Sequence, residues 1–243
     1  MVFHYDAFFS IYFGDASDKF FPEYYLSARR DLNEHARLQI IKKRFDIQSI
    51  SFLHQTHSVN GYLLSESCLL SPFSVDGDFL ITRAQRIGIG ILTADCLPII
   101  CFDRKNQAIG IAHAGWRGAV NGIIKRMLQA MHDAWGSEIK DCYFFFGPSA
   151  KRCCYTVSTD FYQHLEAYAW AGKALQKNER GLNFDLPLFA SLYLESLGAL
   201  PDTICFDYNN CTICDFRFYS YRRSIIAQNF PERGRQMTIV SLK

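Results

Sequence analysis

The chain has 243 residues, of which 49% are hydrophobic and 21% are charged, and its formal net charge is +2 at neutral pH. The apolar fraction is sufficient for a substantial core, and the basic residues are scattered, which argues against nucleic acid or an anionic membrane as a partner. Nine cysteines, with no secretory signal and no apolar run of membrane-spanning length, predict a soluble cytoplasmic protein with reduced thiols.

The first part of the chain contains one predicted helix and two predicted strands. Residues 1–25 are rich in aromatic side chains without regular spacing, which predicts an irregular segment. Apolar residues recur at helical spacing over residues 26–45 and predict a helix. Short apolar runs predict strands at residues 47–53, which lead towards His57, and at residues 79–82.

The central stretch alternates apolar runs with small groups of polar residues. Apolar residues at 87–93 and 97–102 flank Ala94-Asp95-Cys96, and a third run at 108–112 leads into His113. Apolar runs of this length, bounded by turn residues, are typical of fully buried strands. We therefore expect buried strands that present polar side chains at their ends.

The last part of the chain predicts three helices, three strands and no linker. The sequence contains no repeat or low-complexity tract, so we expect one domain over residues 1–243, of class α/β (α+β) with mixed β-sheets. The predicted elements are a helix over residues 119–135 ended by Gly136, a strand at 142–146, a helix capped by Ser158 through residue 169, a helix started by Asp185 and Pro187 through residue 197, and strands at 203–206 and 237–242.

Three residues after or between these strands are candidate metal ligands. His57, Cys96 and His113 supply two imidazoles and one thiolate, and zinc in a catalytic site takes three such ligands and keeps one position open. Their spacing does not form a generic zinc signature. From the residues alone, a buried thiol and two hydrogen-bonded histidines remain the alternative.

A second set of cysteines resembles part of a zinc ribbon. Cys211 and Cys214 have the spacing of a ribbon half-site, but Cys153-Cys154 lacks it. We therefore interpret these four residues as reduced structural thiols.

Several motifs, in consistent order over about residues 50 to 235, resemble those of the YfiH/YlmD family, also called the laccase-domain or polyphenol oxidoreductase family. The matching motifs are Gln55-Thr56-His57, Asp76-Gly77-Asp78, Thr93-Ala94-Asp95-Cys96-Leu97-Pro98, Ala112-His113-Ala114-Gly115-Trp116-Arg117-Gly118, Phe146-Gly147-Pro148-Ser149, Cys153-Cys154-Tyr155-Thr156-Val157 and Ser220-Tyr221-Arg222-Arg223.

The resemblance implies a fold, a metal and an activity. It implies a layered α/β/β/α arrangement and a zinc ion on His57, Cys96 and His113. It also implies a purine nucleoside phosphorylase that acts on adenosine, inosine and methylthioadenosine, with adenosine deaminase activity through a zinc-activated water. The expected partners are therefore a nucleoside and phosphate. A copper oxidase needs many histidine ligands. The chain has seven histidines, and several of them lie in predicted helical or surface settings. Zinc is therefore favoured over copper.

Residues around the three ligands are assigned roles as hypotheses, each with a structural alternative. Asp95, next to Cys96, is the candidate proton-transfer residue, or a turn-capping carboxylate. Arg117 and Gly118, placed where the predicted 119–135 helix begins, are the first candidates for binding phosphate, and Arg222 is the second. Either arginine can instead be a surface ion-pair partner.

Two aromatic residues are candidates for the purine base. Trp116 and Tyr221 can stack on a purine face, and both are equally compatible with a core position. Residues 9–17 depart from the family's N-terminal Phe-Ser-Thr-Arg pattern, so a substrate contact made there in relatives does not transfer to this chain.

Two other functions fit the same residues. Cys96 can act as a nucleophile with His113 as its base, which describes a cysteine hydrolase or amidase that edits peptidoglycan precursors. A non-catalytic metal-binding regulator is the third possibility. The sequence does not predict an oligomeric state.

Overall fold

Two mixed β-sheets, packed face to face, form the centre of the fold. The computed structural model describes residues 1–23, 32, 35–65, 70–179, 181–227 and 234–243. In spatial order, the strands of the five-stranded sheet are β1 (Val2–Tyr5), β2 (Phe9–Phe13), β14 (Gln236–Leu242), β6 (Ile87–Thr93) and β3 (Ser49–Phe52). In this sheet β3 runs parallel to β6, and the other neighbouring pairs are antiparallel.

The six-stranded sheet carries the central stretch of the sequence. In spatial order its strands are β13 (Ile204–Cys205), β9 (Cys142–Phe146), β7 (Leu97–Asp103), β8 (Ala108–Ala114), β5 (Phe79–Thr82) and β4 (Gly61–Leu64). The two strand pairs at its edges, β13 with β9 and β4 with β5, are parallel, and the other pairs are antiparallel. A small antiparallel sheet consists of β10 (Thr156–Val157), β12 (Gly181–Phe184) and β11 (Leu175–Asn178).

The helices in the described residues are short to medium in length. They are α1 (Ala36–Phe45), α2 (Trp116–Val120), α3 (Ile123–Trp135), α4 (Leu186–Ser196) and α5 (Tyr221–Ile226). None of these described helices combines the length and the apolar character that crossing a membrane would require.

Three apolar cores show how the layers stack. The first lies between the sheets and is built from residues of β2, β6 and β14 on one side and of β5, β7 and β8 on the other. The second fills the space between the six-stranded sheet and helices α3 and α4. The third lies between the five-stranded sheet and α1. The predicted α/β fold with mixed sheets and α/β/β/α layers is confirmed.

The N-terminal segment differs from the prediction. Residues 1–25 were expected to be irregular, but they contain β1 and β2, which form an antiparallel hairpin. All five residues of β2 are buried, because this strand lies inside the sheet between β1 and β14 and packs on both faces. The helix predicted over residues 26–45 is present as α1 from Ala36, and residues 26–31 and 33–34 of that prediction lie outside the described residues.

The helix predicted over residues 119–135 is two helices. α2 ends at Val120, and Gly122 has a positive φ of 87°, so the chain turns before α3 begins at Ile123. The prediction for phosphate binding assumed that the long helix begins beside Arg117 and Gly118. In the structure, the long helix α3 begins at Ile123 instead.

The two remaining helix predictions have opposite outcomes. Ser158 makes no side-chain capping bond, and the segment after it is a 3₁₀ helix, Thr159–Leu165, not a helix through residue 169. Asp185 does cap α4, since its side chain accepts a hydrogen bond from the Leu188 N–H. Pro187 lies in the first turn, as predicted.

Candidate metal centre

Three segments that are distant in the sequence bring His57, Cys96 and His113 together. His57 lies in the loop that follows β3, Cys96 lies where the chain passes from β6 to β7, and His113 lies near the end of β8. One ligand atom from each side chain lies within 4.8 Å of the others. The Cys96 Sγ is 3.7 Å from the His57 Nε2. The structure therefore groups the three residues that the sequence predicted as ligands.

The backbone around these residues is adapted to their close approach. His57 and Asp95 both have positive φ angles, of 60° and 86°, which are uncommon for residues with side chains. Gly115 lies directly against the centre, where an added Cβ would be 2.9 Å from both the Cys96 Sγ and the His57 Cδ2. Only glycine leaves room for the thiol and the imidazole at this point.

Asp78, immediately before β5, holds both histidines in place. Its carboxylate accepts hydrogen bonds from the N–H groups of Thr56, His57 and Ser58, at 3.3, 3.0 and 2.6 Å. Its Oδ1 also lies 2.8 Å from the His113 Nδ1, which leaves the Nε2 of that ring as the nitrogen available to a ligand. Carboxylates that orient a metal-binding histidine in this way are a regular feature of metal sites.

Asp78 was not predicted as a site residue. The sequence showed it only as part of a family motif, in a loop before a strand. Its role depends on the pairing of β5 with β8, which places Phe79 opposite Ala112 and so brings Asp78 next to His113. Spacing along the chain carries no signal of that pairing.

The charges in this cluster support one another. Burial opposes ionisation of Asp78, but hydrogen bonds from His113 and Ser58 lower its pKa to about 2. Burial also opposes the charged form of His113, yet the Cys96 thiolate and Asp78 raise its pKa to about 9. For Cys96, burial raises the pKa, while His113 and His57 lower it to about 6. The thiolate form, which binds metals, is thus favoured at neutral pH.

The donor set fits a zinc ion. Two imidazole nitrogens and one thiolate are ligands that zinc prefers, and three protein ligands leave one position for substrate or water. The glycine at position 115 keeps the space beside the sulfur and the imidazole free of a side chain. The geometry is therefore that of an open metal site.

The three residues line one cavity of about 500 Å³. Arg117 and Tyr221 line the same cavity, together with apolar side chains that include Leu53, Phe73 and Leu92. A cavity of this size, with an apolar wall and a few polar groups, is typical of a small-molecule site. Of the other predicted site residues, Arg117 and Tyr221 therefore share this cavity with the three candidate ligands.

Trp116, Arg117 and Gly118 lie in α2 and have different surroundings. The Trp116 ring packs against Phe161 and His164, with centroid distances of 5.2 and 4.9 Å. The Arg117 guanidinium lies 4.5 Å from the centroid of the Trp116 ring, which supports it from one side. Gly118 is buried within the helix.

Asp95 links the centre to α5. Its Oδ1 accepts a hydrogen bond from the Thr212 hydroxyl at 2.7 Å, and its Oδ2 accepts bonds from the Ser220 hydroxyl and the Arg222 N–H at 3.0 and 2.6 Å. The carboxylate thereby holds the first turn of α5, the helix that carries Tyr221.

Arg222 and Tyr221 point in different directions. The Arg222 Nη1 donates a hydrogen bond to the Thr156 carbonyl at 2.7 Å, and the guanidinium lies 5.1 Å from the Tyr155 ring centroid. Tyr221 is 59% exposed and faces the cavity. Neither arrangement was visible in the sequence, which showed only two adjacent residues of one motif.

Comparison with known proteins identifies one family and several relatives with the same name. A model of the family described as multi-copper polyphenol oxidoreductase laccase matches residues 27–243. A purine nucleoside phosphorylase of Borreliella burgdorferi is 31% identical over 188 residues, which are 75% of this chain and 78% of that protein. The purine nucleoside phosphorylase LACC1 of Homo sapiens is 29% identical over 227 residues, and the match covers 89% of this chain and 50% of the human protein.

Solved structures share the fold. The crystal structure of the Bacillus licheniformis hypothetical protein YfiH superimposes with a TM-score of 0.75 at 24% identity, over 88% of this chain and 83% of that one. YlmD from Geobacillus stearothermophilus also gives a TM-score of 0.75 at 24% identity, over 86% and 79% of the two chains. The chain therefore belongs to the polyphenol oxidoreductase laccase family, which includes the YfiH and YlmD proteins.

Proposed function

We propose that the protein is a zinc-dependent purine nucleoside phosphorylase that acts on adenosine, inosine and methylthioadenosine and also deaminates adenosine. The observation that carries the proposal is the convergence of His57, Cys96 and His113 in one cavity of small-molecule size. The names of the relatives, which are purine nucleoside phosphorylases, supply the substrate class.

Zinc is the metal that best suits this donor set. Bound to these side chains, it would supply a Lewis acid able to activate water or polarise the purine. Multi-copper oxidase chemistry needs several further histidine ligands. Two of the other histidines are occupied elsewhere, because His4 contacts the Tyr208 hydroxyl at 2.8 Å and His164 packs on Trp116.

Arg117 is the residue we assign to phosphate. Its guanidinium lines the cavity that holds the three candidate ligands, and the Trp116 ring limits its freedom on one side. A guanidinium can bind two phosphate oxygens at once, which orients the nucleophile of phosphorolysis. Gly118 follows it in α2 and is the candidate for a backbone contact to phosphate, although it is buried within the helix. Arg222 is the second candidate for phosphate, since part of its hydrogen-bonding capacity is used by Thr156.

Tyr221 is the residue we assign to the purine base. Its ring is exposed and lines the cavity, so one face is available for stacking. Trp116 is the weaker candidate because its ring packs on Phe161 and His164. For Trp116 we therefore favour the role of a support for Arg117.

Asp95 is our candidate for moving a proton to or from the purine. It adjoins Cys96 in sequence, and its carboxylate also anchors α5 through two hydrogen bonds and accepts a third from the Thr212 hydroxyl. Asp95→Asn keeps the shape of the side chain and one of its two acceptor oxygens but removes the base. If Asp95 transfers a proton, this variant lowers kcat with little change in KM, whereas a purely anchoring role raises KM as Tyr221 moves.

The proposal is tested by metal analysis combined with an adenosine assay, with and without phosphate. We expect bound zinc, with adenine and ribose 1-phosphate formed when phosphate is present and inosine formed by deamination. Cys96→Ser should lower zinc content and both activities together. Full zinc content with neither product would overturn the assignment and favour a metal-binding regulator.

The cysteine hydrolase is the second candidate, because the Cys96 sulfur lies 3.7 Å from the His57 ring nitrogen and close to His113. A nucleophilic thiolate beside imidazole has this arrangement. The two candidates differ in their response to zinc. A metal-bound sulfur resists alkylation by iodoacetamide while zinc is present, whereas a nucleophilic Cys96 is alkylated and the activity on an amide substrate is lost.

A further inference from the structure

Four cysteines outside the His57, Cys96 and His113 centre lie together at the surface. The sulfur atoms of Cys153, Cys154, Cys211 and Cys214 are all within 4.8 Å of one another. The sulfurs of Cys153 and Cys214 are 4.0 Å apart. The proposed nucleoside chemistry uses none of these residues, so their grouping needs a separate explanation.

The grouping is produced by two turns that the backbone holds side by side. The first turn comprises residues 151–154 and the second comprises residues 211–214. Ser149, just before the first turn, donates its N–H to the Asn210 carbonyl and accepts the Thr212 N–H at its own carbonyl, both at 3.0 Å. Hydrogen bonds of the main chain, independent of the thiols, therefore fix the relative position of the two pairs of cysteines.

Cys211 is the most buried of the four cysteines, at 9% exposure, whereas Cys153 and Cys214 are exposed. Cys211 therefore lies at the inner side of the cluster.

The distances fit a shared ion better than a disulfide. The sulfurs of a disulfide are about 2.05 Å apart, whereas the sulfurs of Cys153 and Cys214 are 4.0 Å apart and all four cysteines are free thiols. Four thiolates bound tetrahedrally to zinc at about 2.3 Å each lie roughly 3.8 Å from one another. The four sulfurs need to move only slightly to reach that geometry.

Three basic residues lie in the two turns or contact them, and their charges would offset part of the charge of four thiolates. Lys151 and Arg152 lie in the first turn itself. The Arg223 Nη1 donates hydrogen bonds to the Thr212 and Ile213 carbonyls of the second turn, at 2.7 and 2.9 Å. Such groups lower the electrostatic cost of a site with a net charge of about −2.

We propose that Cys153, Cys154, Cys211 and Cys214 bind a second zinc ion in a closed tetrathiolate site with a structural role. The site has four protein ligands and no open position, so it supplies no catalysis. The sequence argument against it, the lack of a second Cys-x-x-Cys pair, concerns spacing along the chain and not the position of the sulfurs. The proposal does not depend on the nucleoside activity.

The position of the site explains what a structural ion would do. Thr212, inside the second turn, donates its hydroxyl to Asp95, the neighbour of Cys96. Arg223 ties the same turn to α5. An ion that locks the two turns would therefore also steady Asp95 and the helix that carries Tyr221, at the edge of the cavity.

The test counts zinc per chain in purified protein and in cysteine variants. We expect the double variant Cys153→Ser/Cys214→Ser, at two exposed positions, to bind one fewer zinc ion than the unaltered protein. Cys96→Ser should lose the other ion. Cys205→Ser, a thiol outside both clusters, is the matched control and should keep the full zinc content.

Cobalt substitution gives a second, spectroscopic readout of the same site in the unaltered protein and in the variants. A tetrathiolate site gives strong sulfur-to-cobalt charge-transfer absorption, which Cys96→Ser should retain and the double variant should lose. Equal zinc content in the double variant and the unaltered protein would overturn the proposal. So would alkylation of all four thiols in the native, zinc-loaded protein, or a mass that shows disulfides among them.

Discussion

Asp78 shows how much of the candidate metal centre depends on one buried carboxylate. It has no exposed surface, and it accepts hydrogen bonds from the backbone of the His57 loop while it contacts the His113 ring. It therefore positions two candidate ligands, one in the loop after β3 and the other on β8. A carboxylate in this position determines which ring nitrogen is free to bind the metal.

Asp78→Asn should weaken zinc binding at this centre by about 10- to 100-fold, because the amide cannot accept all the hydrogen bonds that fix the two histidines. The measurement is a competition with a chromophoric zinc chelator, performed on the Cys153→Ser/Cys214→Ser background so that one site is observed. Asp76→Asn is the control, since Asp76 is exposed and pairs with His54. An unchanged affinity in Asp78→Asn would show that the backbone alone places the histidines.

Gly115→Ala should disrupt the same centre by steric displacement. The added methyl group would lie 2.9 Å from the Cys96 sulfur, so the thiol or the His57 ring must move. A displacement of about 1 Å at a reacting centre can cost about 10²-fold in rate, and we expect a loss of this order in kcat/KM for adenosine. Gly172→Ala is the matched control because no atom lies within 4 Å of its added Cβ. Normal turnover by Gly115→Ala would mean that the centre tolerates the shift.

Strands and helices differ in how well their sequences predicted them. Strands β5, β6 and β9 occur at the residues where their apolar runs predicted them. β5 and β6 are buried on both faces, and such a strand needs a continuous apolar run, whereas β9 exposes Tyr143. β2 is equally buried, but its aromatic residues with Ser10 between them do not form a recognisable run. The break at Gly122 was missed because apolar residues continue at helical spacing on both sides of it.

Asp185→Ala should destabilise the protein by about 1 kcal/mol, because α4 would lose the side-chain acceptor for the Leu188 N–H. Urea unfolding followed by circular dichroism measures the difference in the free energy of unfolding. Asp185→Asn should cost less, since asparagine is also a good capping residue. Ser158→Ala is a second control and should be nearly neutral, as Ser158 makes no capping bond. Equal losses in the alanine and asparagine variants would indicate that the ion pair of Asp185 with Arg152, at 3.8 Å, matters more than the cap.

At the scale of the whole molecule, the two cysteine-containing centres lie in different parts of the layered fold. The centre of His57, Cys96 and His113 lies where segments of the two large sheets meet. The cluster of four cysteines lies between two surface turns near α5. The organisation as one domain over residues 1–243 and the cytoplasmic location stay predictions from the sequence.

Removal of zinc by a strong chelator should lower the melting temperature of the protein, because an ion that binds only the folded state stabilises it by about 4 kcal/mol at a thousandfold excess over its Kd. Differential scanning calorimetry with and without chelator measures the shift. The shift should be smaller in Cys96→Ser and in the Cys153→Ser/Cys214→Ser double variant than in the unaltered protein. A chelator that leaves all three melting temperatures unchanged would argue against a stabilising ion at either centre.

The candidate site was only partly predictable from the sequence. His57, Cys96 and His113 were identified through motifs of a known family, and their spacing alone left a buried thiol and two ordinary histidines as an alternative. The role of Asp78 and the spatial grouping of the four cysteines were not predicted, for a common reason. Both depend on pairing between segments distant in the chain, β5 with β8 and Ser149 with Cys211, which local patterns do not encode.

The passage of the chain from one large sheet to the other at Cys96 has a mechanical consequence. His57 follows a strand of the five-stranded sheet, and His113 belongs to the six-stranded sheet. An ion bound by His57, Cys96 and His113 would therefore cross-link the two sheets. Any shear of one layer over the other would stretch its coordination bonds. Changes of side-chain volume in the core between the layers, far from the cavity, should therefore alter the colour of a cobalt-loaded centre before they alter the fold.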